Sequence, residues 1–313
     1  MARHLLTLDS LGRDGIRHTL DMAVRIKSRG GMTRDALAGG RVGLIFDKPS
    51  TRTRVSFEAA IWGLGMLPIA LRPDELQLGR GETIADTARV VSRYLSALAI
   101  RTFDQAKVEE LARYATIPII NALTDDHHPC QALADVMTLE EEFKELAGLR
   151  VAFVGDGNNV CHSLIQAAGH LGFALAISTP PGYEPHTEIV AAAQANCRRN
   201  GGGIELGHDP KAAVRGADAV YTDVWASMGQ EKEREERARI FAGYCVNGAL
   251  MALAAPRAIF LHCLPAHRGD EVTDEVMDGP QSRVWDEAEN RWYTEQALLY
   301  LLITGDERGE RLG

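Results

Sequence analysis

The sequence has none of the long apolar runs, signal segments or excess basic charge that mark membrane, secreted or nucleic-acid-binding proteins. No run approaches the roughly 18 apolar residues of a membrane span, and residues 1–10 lack the basic start and apolar core of a secretory signal. The formal charge is −9 at pH 7, whereas nonspecific binding to nucleic acid or to an anionic membrane needs a basic face. We therefore expect a cytoplasmic protein that binds neither nucleic acid nor membrane.

The cysteines are few, and no two of them form a Cys-x-x-Cys pair. Their number is odd, and their positions are Cys130, Cys161, Cys197, Cys245 and Cys263. This wide spacing fits neither a disulfide framework nor a zinc knuckle. Most of the cysteines are therefore expected to be small buried residues.

What the sequence does contain is a regular alternation of apolar strand patterns and helical patterns. A chain of 313 residues with 45% hydrophobic content is long enough for two domains, each with its own core. The strand-helix order predicts parallel sheets with right-handed crossovers. In the first half the predicted strands are 42–46, 67–71, 97–101 and 118–121, and the predicted helices are 12–28, 55–64, 83–94 and 105–114. In the second half the predicted strands are 150–155, 174–178, 203–206, 219–223, 244–247 and 259–262.

A long predicted helix over 131–146 separates the two series of strands. The expected fold is therefore α/β, with two doubly wound parallel-sheet domains joined by that long helix. The C-terminal run 290–303 is apolar at helical spacing and is predicted to return to the first domain. The charge-dense segment 230–239 is predicted to be an exposed helix face or a mobile loop.

The most informative motif is Ser50-Thr51-Arg52-Thr53-Arg54, between the predicted strand 42–46 and the predicted helix 55–64. At a helix N-terminus, unpaired backbone N–H groups and the positive end of the helix dipole favour a dianion such as phosphate. The arginines and hydroxyls would add charge-assisted hydrogen bonds. In a simpler interpretation Ser50 only caps the helix and the arginines are solvated. The position directly after a buried-type strand favours the anion site.

Further polar groups follow predicted strands, where ligands gather in an open α/β sheet. Arg101 ends one such strand. His128 and Gln131, one helical turn apart, can aim two donors at one carbonyl oxygen. Alternatively, the histidine satisfies a buried helix end. A metal site at 127–130 is disfavoured, because adjacent residues rarely ligate one ion.

In the second half, three groups have a chemical interpretation. Segment 155–160 begins like a dinucleotide fingerprint, but Val160 stands where the third glycine belongs, which disfavours a nicotinamide-dependent oxidoreductase. Asp223 and Ser227 follow a strand and can bind an ammonium group. Cys263 is a candidate nucleophile, but apart from the adjacent His262 no histidine has an obvious spacing that would place it as the base. Covalent catalysis is therefore disfavoured.

Taken together, four motifs resemble the transcarbamoylase family, in the right order and over nearly the whole chain. They are FDKPSTRTRVSFE at 46–58, HPCQ at 128–131, the loop 223–229 ending in SMG, and HCLP at 262–265. The first two are shared by aspartate and ornithine transcarbamoylases and concern carbamoyl phosphate. The SMG loop with HCLP is typical of the ornithine-acting branch. Relatives acting on putrescine share HCLP but generally lack SMG. The alternative within the family is a transcarbamoylase for another amine, such as putrescine.

The resemblance implies that carbamoyl phosphate and L-ornithine give L-citrulline and phosphate, by direct attack of the δ-amine on the carbamoyl carbon, without metal or organic cofactor. The implied carbamoyl phosphate domain is 1–132, completed by 290–313, and the implied ornithine domain is 133–289. A homotrimer, or a multiple of trimers, is expected because Gln77 matches a loop residue that reaches a neighbouring subunit's site in the family. A catalytically silent phosphate-binding subunit is the alternative from another class.

The resemblance also assigns individual roles. The expected catalytic residues are Arg101, His128, Gln131, Cys263 and Arg291. The residues expected to bind carbamoyl phosphate are Ser50, Thr51, Arg52, Thr53, Gln77, Arg101, His128, Gln131, Cys263, Leu264 and Arg291. The residues expected to bind ornithine are Asn159, Asp223, Ser227 and Met228.

Overall fold

The computed structural model describes residues 4–32, 36–72, 74–77, 81–226 and 233–306. These residues form two compact units, with boundaries at Ala134/Asp135 and at Ala288/Glu289. Unit 1 contains the N-terminal part and the residues from Glu289 onward, and unit 2 is Asp135–Ala288. Within the described ranges, no helix combines the length and apolar content that crossing a membrane requires.

Unit 1 is built on a parallel sheet with the strand order β2-β1-β3-β4. The strands are β1 (Arg41–Phe46), β2 (Leu67–Leu71), β3 (Ala97–Arg101) and β4 (Ile119–Leu123). Because β2 lies on one side of β1 and β3 on the other, the winding direction reverses between β1 and β3. Ligands bind at the carboxyl ends of strands at such a reversal. Phe46 and Arg101 are paired there.

The helices of unit 1 are α1 (Gly12–Ser28), α2 (Thr51–Gly63), α3 (Ile84–Val91) and α4 (Gln105–Tyr114). Side-chain caps define two of their starts, because Ser50 accepts from the backbone N–H of Thr53 and Thr83 from that of Asp86. Gly63 allows a very close approach to the C-terminal helix. A Cβ at that position would clash with the Gln296 side-chain amide of that helix.

Unit 2 repeats the architecture with the strand order β7-β6-β5-β8-β9. Its strands are β5 (Arg150–Val154), β6 (Ala174–Ser178), β7 (Gly203–Gly207), β8 (Ala219–Thr222) and β9 (Ile259–Leu261). Its helices are α6 (Asn159–Leu171), α7 (Thr187–Asn200), α8 (Pro210–Val214), α9 (Arg234–Ile240), α10 (Gly248–Met251) and α11 (Asp274–Met277). Here the winding reverses between β5 and β8, so the loops after these two strands are the expected ligand loops.

Two helices carry the chain across the unit boundaries. Helix α5 (Pro129–Phe143) runs from unit 1 into unit 2, and α12 (Val284–Thr304) starts in unit 2 and ends in unit 1. The predicted fold class is confirmed in these features: two parallel-sheet α/β domains, a long joining helix and a C-terminal helix that belongs largely to the first domain.

The predicted strand 244–247 is wrong. Residues Ala242–Tyr244 form a 3-10 turn, and Val246 makes an isolated bridge with Val272. Asn247 then caps α10 by accepting from the backbone N–H of Leu250. The apolar pattern that suggested a strand instead reflects packing, because Tyr244 and Val246 are buried in the core of unit 2.

The prediction for the charge-dense segment 230–239 is wrong at one residue. Residues 230–232 lie outside the described residues, and most of the rest is exposed helix α9. Arg237 is buried, however, and its guanidinium lies 2.7 Å from Asp156 Oδ2 and 2.8 Å from the carbonyl oxygen of Trp225. A buried carboxylate and a buried carbonyl therefore determine its position rather than solvent.

Candidate active site

The Ser-Thr-Arg-Thr-Arg motif forms the first turn of α2, directly after β1. Ser50 Oγ accepts from the backbone N–H of Thr53 at 3.3 Å and so caps the helix. Arg101, at the end of β3, donates from Nη1 to Thr53 Oγ1 at 3.5 Å. The capped turn and Arg101 are thus in contact at the reversal point of the sheet. Such a turn, with helix N–H groups, hydroxyls and a guanidinium together, is suited to a phosphate dianion.

The two arginines of the motif have different surroundings. Arg54 donates from Nε to Glu58 Oε1 at 2.8 Å, one helical turn further along α2. Its guanidinium is therefore committed to a neighbouring carboxylate. Arg52 is exposed in the first turn of the helix.

The start of α5 places His128, directly before the helix, about one helical turn from Gln131. His128 precedes Pro129 at the helix start, and its carbonyl accepts from the backbone N–H of Gln131 at 3.1 Å. Gln131 Oε1 accepts from Arg291 Nη1 at 2.7 Å. This bond orients the Gln131 amide, because its oxygen is used by Arg291 and its NH₂ group is the donor end. The side chains of His128, Gln131 and Arg291 are all buried.

The environment of His128 keeps its imidazole uncharged. Burial lowers the pKa of His128 well below its usual 6.5, and the nearby Arg291 and Arg101 guanidiniums lower that pKa further. A neutral imidazole can donate one N–H to a carbonyl oxygen without carrying its own positive charge into a site that already holds two arginines.

Arg291 is held from a second side by Glu295, one turn further along α12. Arg291 Nε and Nη2 both donate to Glu295 Oε1, at 3.1 and 2.7 Å. Glu295 is 1% exposed. No sequence motif indicated Glu295, although its i+4 position relative to Arg291 is a spacing at which helical residues form ion pairs.

In unit 2, Asp223 and Cys263 meet at the ends of β8 and β9. Cys263 Sγ lies 2.9 Å from Asp223 Oδ1, and Asn158 Nδ2 donates to Asp223 Oδ2 at 2.6 Å. Burial, the adjacent Asp223 charge and the hydrogen bond to it raise the pKa of Cys263 well above its usual value. The side chain is therefore a thiol that donates to Asp223, and a thiol is a poor nucleophile. This finding supports the view that Cys263 does not act by covalent catalysis.

A hydrogen-bonded turn presents Cys263. His262 Nδ1 accepts from the backbone N–H of Leu264 at 2.8 Å, so the ring proton is on Nε2, which lies 3.2 Å from Glu271 Oε1. Leu264 has φ +59° and precedes Pro265 across a cis peptide bond. Since His262 and Glu271 are fully buried, this turn is a fixed part of unit 2.

Two groups in the described part of unit 2 bring three potential metal ligands within 4.8 Å of one another: Asp223, His262 and Cys263, and His267, Asp270 and Glu271. The ligand atoms of the first group already hydrogen-bond within the protein, as described above. In the second group Arg234 Nη2 lies 3.1 Å from Asp270 Oδ2. A metal would have to displace these protein contacts. In unit 1, burial raises the pKa of Cys130, whose thiol donates to a backbone carbonyl, and a thiol is not the metal-binding form.

The predicted residues fall into two groups, one in each unit. In unit 1, contacts or electrostatic effects connect Thr53, Arg101, His128, Arg291 and Gln131. In unit 2, Asp223 and Cys263 are in contact, and Asn159 is buried at the start of α6. Its neighbour Asn158, which was not among the predicted site residues, is the residue that donates to Asp223. Ser227 and Met228 lie outside the described residues, and Gln77 is exposed.

Comparison with known proteins agrees with this arrangement. Residues 3–141 match the carbamoyl-P binding domain, and residues 147–302 the Asp/Orn binding domain, of aspartate/ornithine carbamoyltransferase. The chain belongs to the aspartate/ornithine carbamoyltransferase family. It is 52% identical, over 96% of its length and 98% of the relative's, to a protein of Symbiobacterium thermophilum named ornithine carbamoyltransferase.

Solved structures agree as well. The structure of ornithine carbamoyltransferase from Pyrococcus furiosus superposes with a TM-score of 0.93 at 51% identity, covering 97% of both chains. The enzyme of the same name from Thermus thermophilus gives a TM-score of 0.88 at 42% identity, covering 97% of this chain and 100% of the other.

Proposed function

We propose that this protein is an ornithine carbamoyltransferase, which transfers the carbamoyl group of carbamoyl phosphate to the δ-amine of L-ornithine. The products are L-citrulline and phosphate. The observation that carries this proposal is the group of Thr53, Arg101, His128, Arg291 and Gln131, which links the proposed phosphate-binding turn to four side chains suited to a carbonyl oxygen. The family and the names of the similar proteins support it independently.

The phosphate group is proposed to bind at the first turn of α2. Ser50, Thr51, Arg52 and Thr53 would supply hydroxyls, backbone N–H groups and one guanidinium, and the helix dipole would add to their effect. Negative charge on the phosphate grows as its bond to the carbamoyl carbon breaks. Groups that bind this charge more strongly in the transition state than in the substrate accelerate the reaction.

The carbamoyl carbonyl oxygen is proposed to lie among Arg101, His128, Gln131 and Arg291. Attack by the amine turns this oxygen into an oxyanion in a tetrahedral intermediate, and N–H donors fixed before the reaction stabilise it. The neutral His128 and the oriented Gln131 amide are such donors. Collapse of the intermediate expels phosphate, and the proton that the attacking nitrogen loses is balanced by release of phosphate as HPO₄²⁻.

Ornithine is proposed to bind in unit 2, at Asn159, Asp223, Ser227 and Met228. The attacking amine must be uncharged, although a free alkylammonium has a pKa of about 10.4. Removal of the amine from water would lower that pKa. Cys263 and Leu264 are proposed contacts of the carbamoyl phosphate, with the Cys263 thiol, held by Asp223, near the attacking nitrogen. Correspondingly, residues 1–132 with 290–313 are proposed as the carbamoyl phosphate domain, and 133–289 as the ornithine domain.

A panel of amines tests the choice of acceptor. Purified protein is given carbamoyl phosphate with L-ornithine, putrescine, acetylated ornithine or L-aspartate, and phosphate release above the spontaneous rate is measured together with the carbamoylated product. L-Ornithine is expected to give the highest kcat/KM. A higher kcat/KM with putrescine would mean that putrescine, not ornithine, is the acceptor. If no amine gives a carbamoylated product, the protein would be a phosphate-binding protein without this activity.

We also propose a homotrimer, or a multiple of trimers. Unit 1 has large apolar side chains that are more than half exposed, namely Val55 and Trp62 on α2, Leu67 on β2 and Tyr94 after α3. In addition, β2 is an edge strand, and Gln77 after it is exposed. Exposed apolar groups of this kind favour a protein interface. Sedimentation equilibrium would give the subunit number, and a monomer would contradict the proposal. A cytoplasmic location is proposed from the sequence composition alone.

A further inference from the structure

Glu295 is a buried carboxylate in unit 1 that the proposed mechanism does not use. It is 1% exposed and lies on α12, where the close contact at Gly63 brings α12 against α2. Burial raises the pKa of Glu295 to about 7, although the Arg291 guanidinium and the Ser56 hydroxyl both favour the charged form. Removing a carboxylate from water is costly, and an ion pair in such a place stabilises a fold weakly compared with apolar residues of similar size.

Glu295 forms an ion pair with Arg291, and the same arginine also contacts Gln131. Arg291 Nε and Nη2 both donate to Glu295 Oε1, while Arg291 Nη1 donates to Gln131 Oε1. The planar guanidinium is thus fixed from two sides, by a carboxylate on its own helix and by an amide on α5. Because the guanidinium is rigid, fixing two of its edges fixes the direction of its remaining N–H bonds. The same contacts determine which end of the Gln131 amide can donate.

We propose that Glu295 is a positioning residue for the carbamoyl half of the substrate. It holds the Arg291 guanidinium, and through Arg291 the Gln131 amide, in the orientation in which both donate to the carbonyl oxygen. Glu295 itself does not touch the substrate. The inference rests on the proposed function and extends it. The hydrogen bonds that shape the proposed phosphate-binding turn, from Thr53 N–H to Ser50 and from Arg101 to Thr53, do not involve Glu295.

This separation of phosphate binding from carbonyl activation gives the test. Glu295→Gln keeps the shape of the side chain and removes its charge, and Glu295→Asp keeps the charge on a side chain one methylene shorter. Asp278→Asn is the matched control, because Asp278 accepts from Arg268 Nη1 and Nη2 at 2.5 and 2.8 Å on the surface of unit 2. For each protein we would measure kcat and KM for citrulline formation and the Kd of inorganic phosphate.

For Glu295→Gln we expect kcat to fall at least tenfold while the Kd of phosphate changes less than twofold. Glu295→Asp should recover part of the lost kcat, and Asp278→Asn should equal the wild type. If Glu295→Gln does not fold, Glu295→Asp gives the test. For that variant we expect a smaller loss of kcat and an unchanged Kd of phosphate. Unchanged kcat in the folded Glu295 variants, or a parallel loss of phosphate affinity, would overturn the inference. Failure of the wild type to form citrulline would instead contradict the proposed function.

Discussion

Replacement of Arg237 by Met is expected to destabilise unit 2 in a pH-dependent way. Arg237 Nη1 donates to Asp156 Oδ2 and to the carbonyl oxygen of Trp225, and Nε donates to Glu233 Oε2 at 3.0 Å. The arginine and Asp156 side chains are only 9% and 13% exposed. Met fills similar space without charge, so the substitution leaves Asp156 without its cation and the Trp225 carbonyl without this donor.

The pKa of Asp156 determines how large the loss of stability is and how it changes with pH. Burial raises this pKa from 3.8 to about 6, with Arg237 opposing the rise. In the wild type, ionisation of Asp156 therefore leaves the free energy of unfolding unchanged below pH 3.8. Above pH 6 it lowers the free energy of unfolding by about 3 kcal/mol. Without Arg237 the pKa rises further, so the cost of an ionised Asp156 increases. Removing one partner of a buried ion pair lowers stability by about 3–5 kcal/mol. For Arg237→Met we expect a loss of about 3 kcal/mol at pH 8.

Urea unfolding at pH 8 and pH 5, followed by tryptophan fluorescence, measures this effect, since Trp225 stacks on Phe241 in the same core. At pH 5 the loss should be less than half as large, because Asp156 is then protonated. Arg239→Met, at an exposed position of the same helix, is the control and should change stability by less than about 0.5 kcal/mol. Adding Asp156→Asn to Arg237→Met should restore part of the stability at pH 8. An equal loss at both pH values would refute the electrostatic explanation.

Two further predictions concern His128 and the exposed face of unit 1. Because burial and two arginines lower the pKa of His128, its imidazole should remain neutral at pH 6 in ¹⁵N NMR spectra. The folded state then binds no proton there while the unfolded chain does, so this group lowers stability as pH falls through 6.5; a protonated ring at pH 6 would be inconsistent with the site. Trp62→Glu should dissociate the proposed trimer in sedimentation experiments, whereas Trp285→Glu, equally exposed in unit 2, should not.

Local periodicity was sufficient to predict much of the fold. Helices α1 and α4 and strands β2, β3 and β6 have the predicted bounds, because the apolar spacing and the flanking polar residues agree there. The start of α2 was placed four residues late, since the cap at Ser50 makes the polar motif itself the first helical turn. Helix α12 begins six residues earlier than predicted. Its charged start is stabilised by distant partners, as Glu287 accepts from Tyr221 and from the backbone N–H of His262.

For the site, the sequence predicted residue types at motif positions but not their partners. His128 and Gln131 were candidates because one helical turn separates them, and the resemblance of the HPCQ motif to the transcarbamoylase family implied their role. By contrast, the contacts of Asn158 with Asp223, of Arg237 with Asp156 and of Arg291 with Gln131 join residues 65, 81 and 160 positions apart. Such pairs depend on tertiary packing, for which a single sequence gives no periodic signal.

In the proposed mechanism, the first turn of α2 holds the phosphate of the carbamoyl donor through Arg52. The most direct measurement compares carbamoyl phosphate affinity by calorimetry, and the rate of citrulline formation, in the wild type and in Arg52→Lys. Lysine keeps the charge but loses the planar fork, so we expect turnover to fall about a hundredfold or more, with weaker binding of carbamoyl phosphate. Arg54→Lys, whose parent side chain pairs with Glu58, is the control. Near-normal affinity and turnover in Arg52→Lys would contradict this role of Arg52.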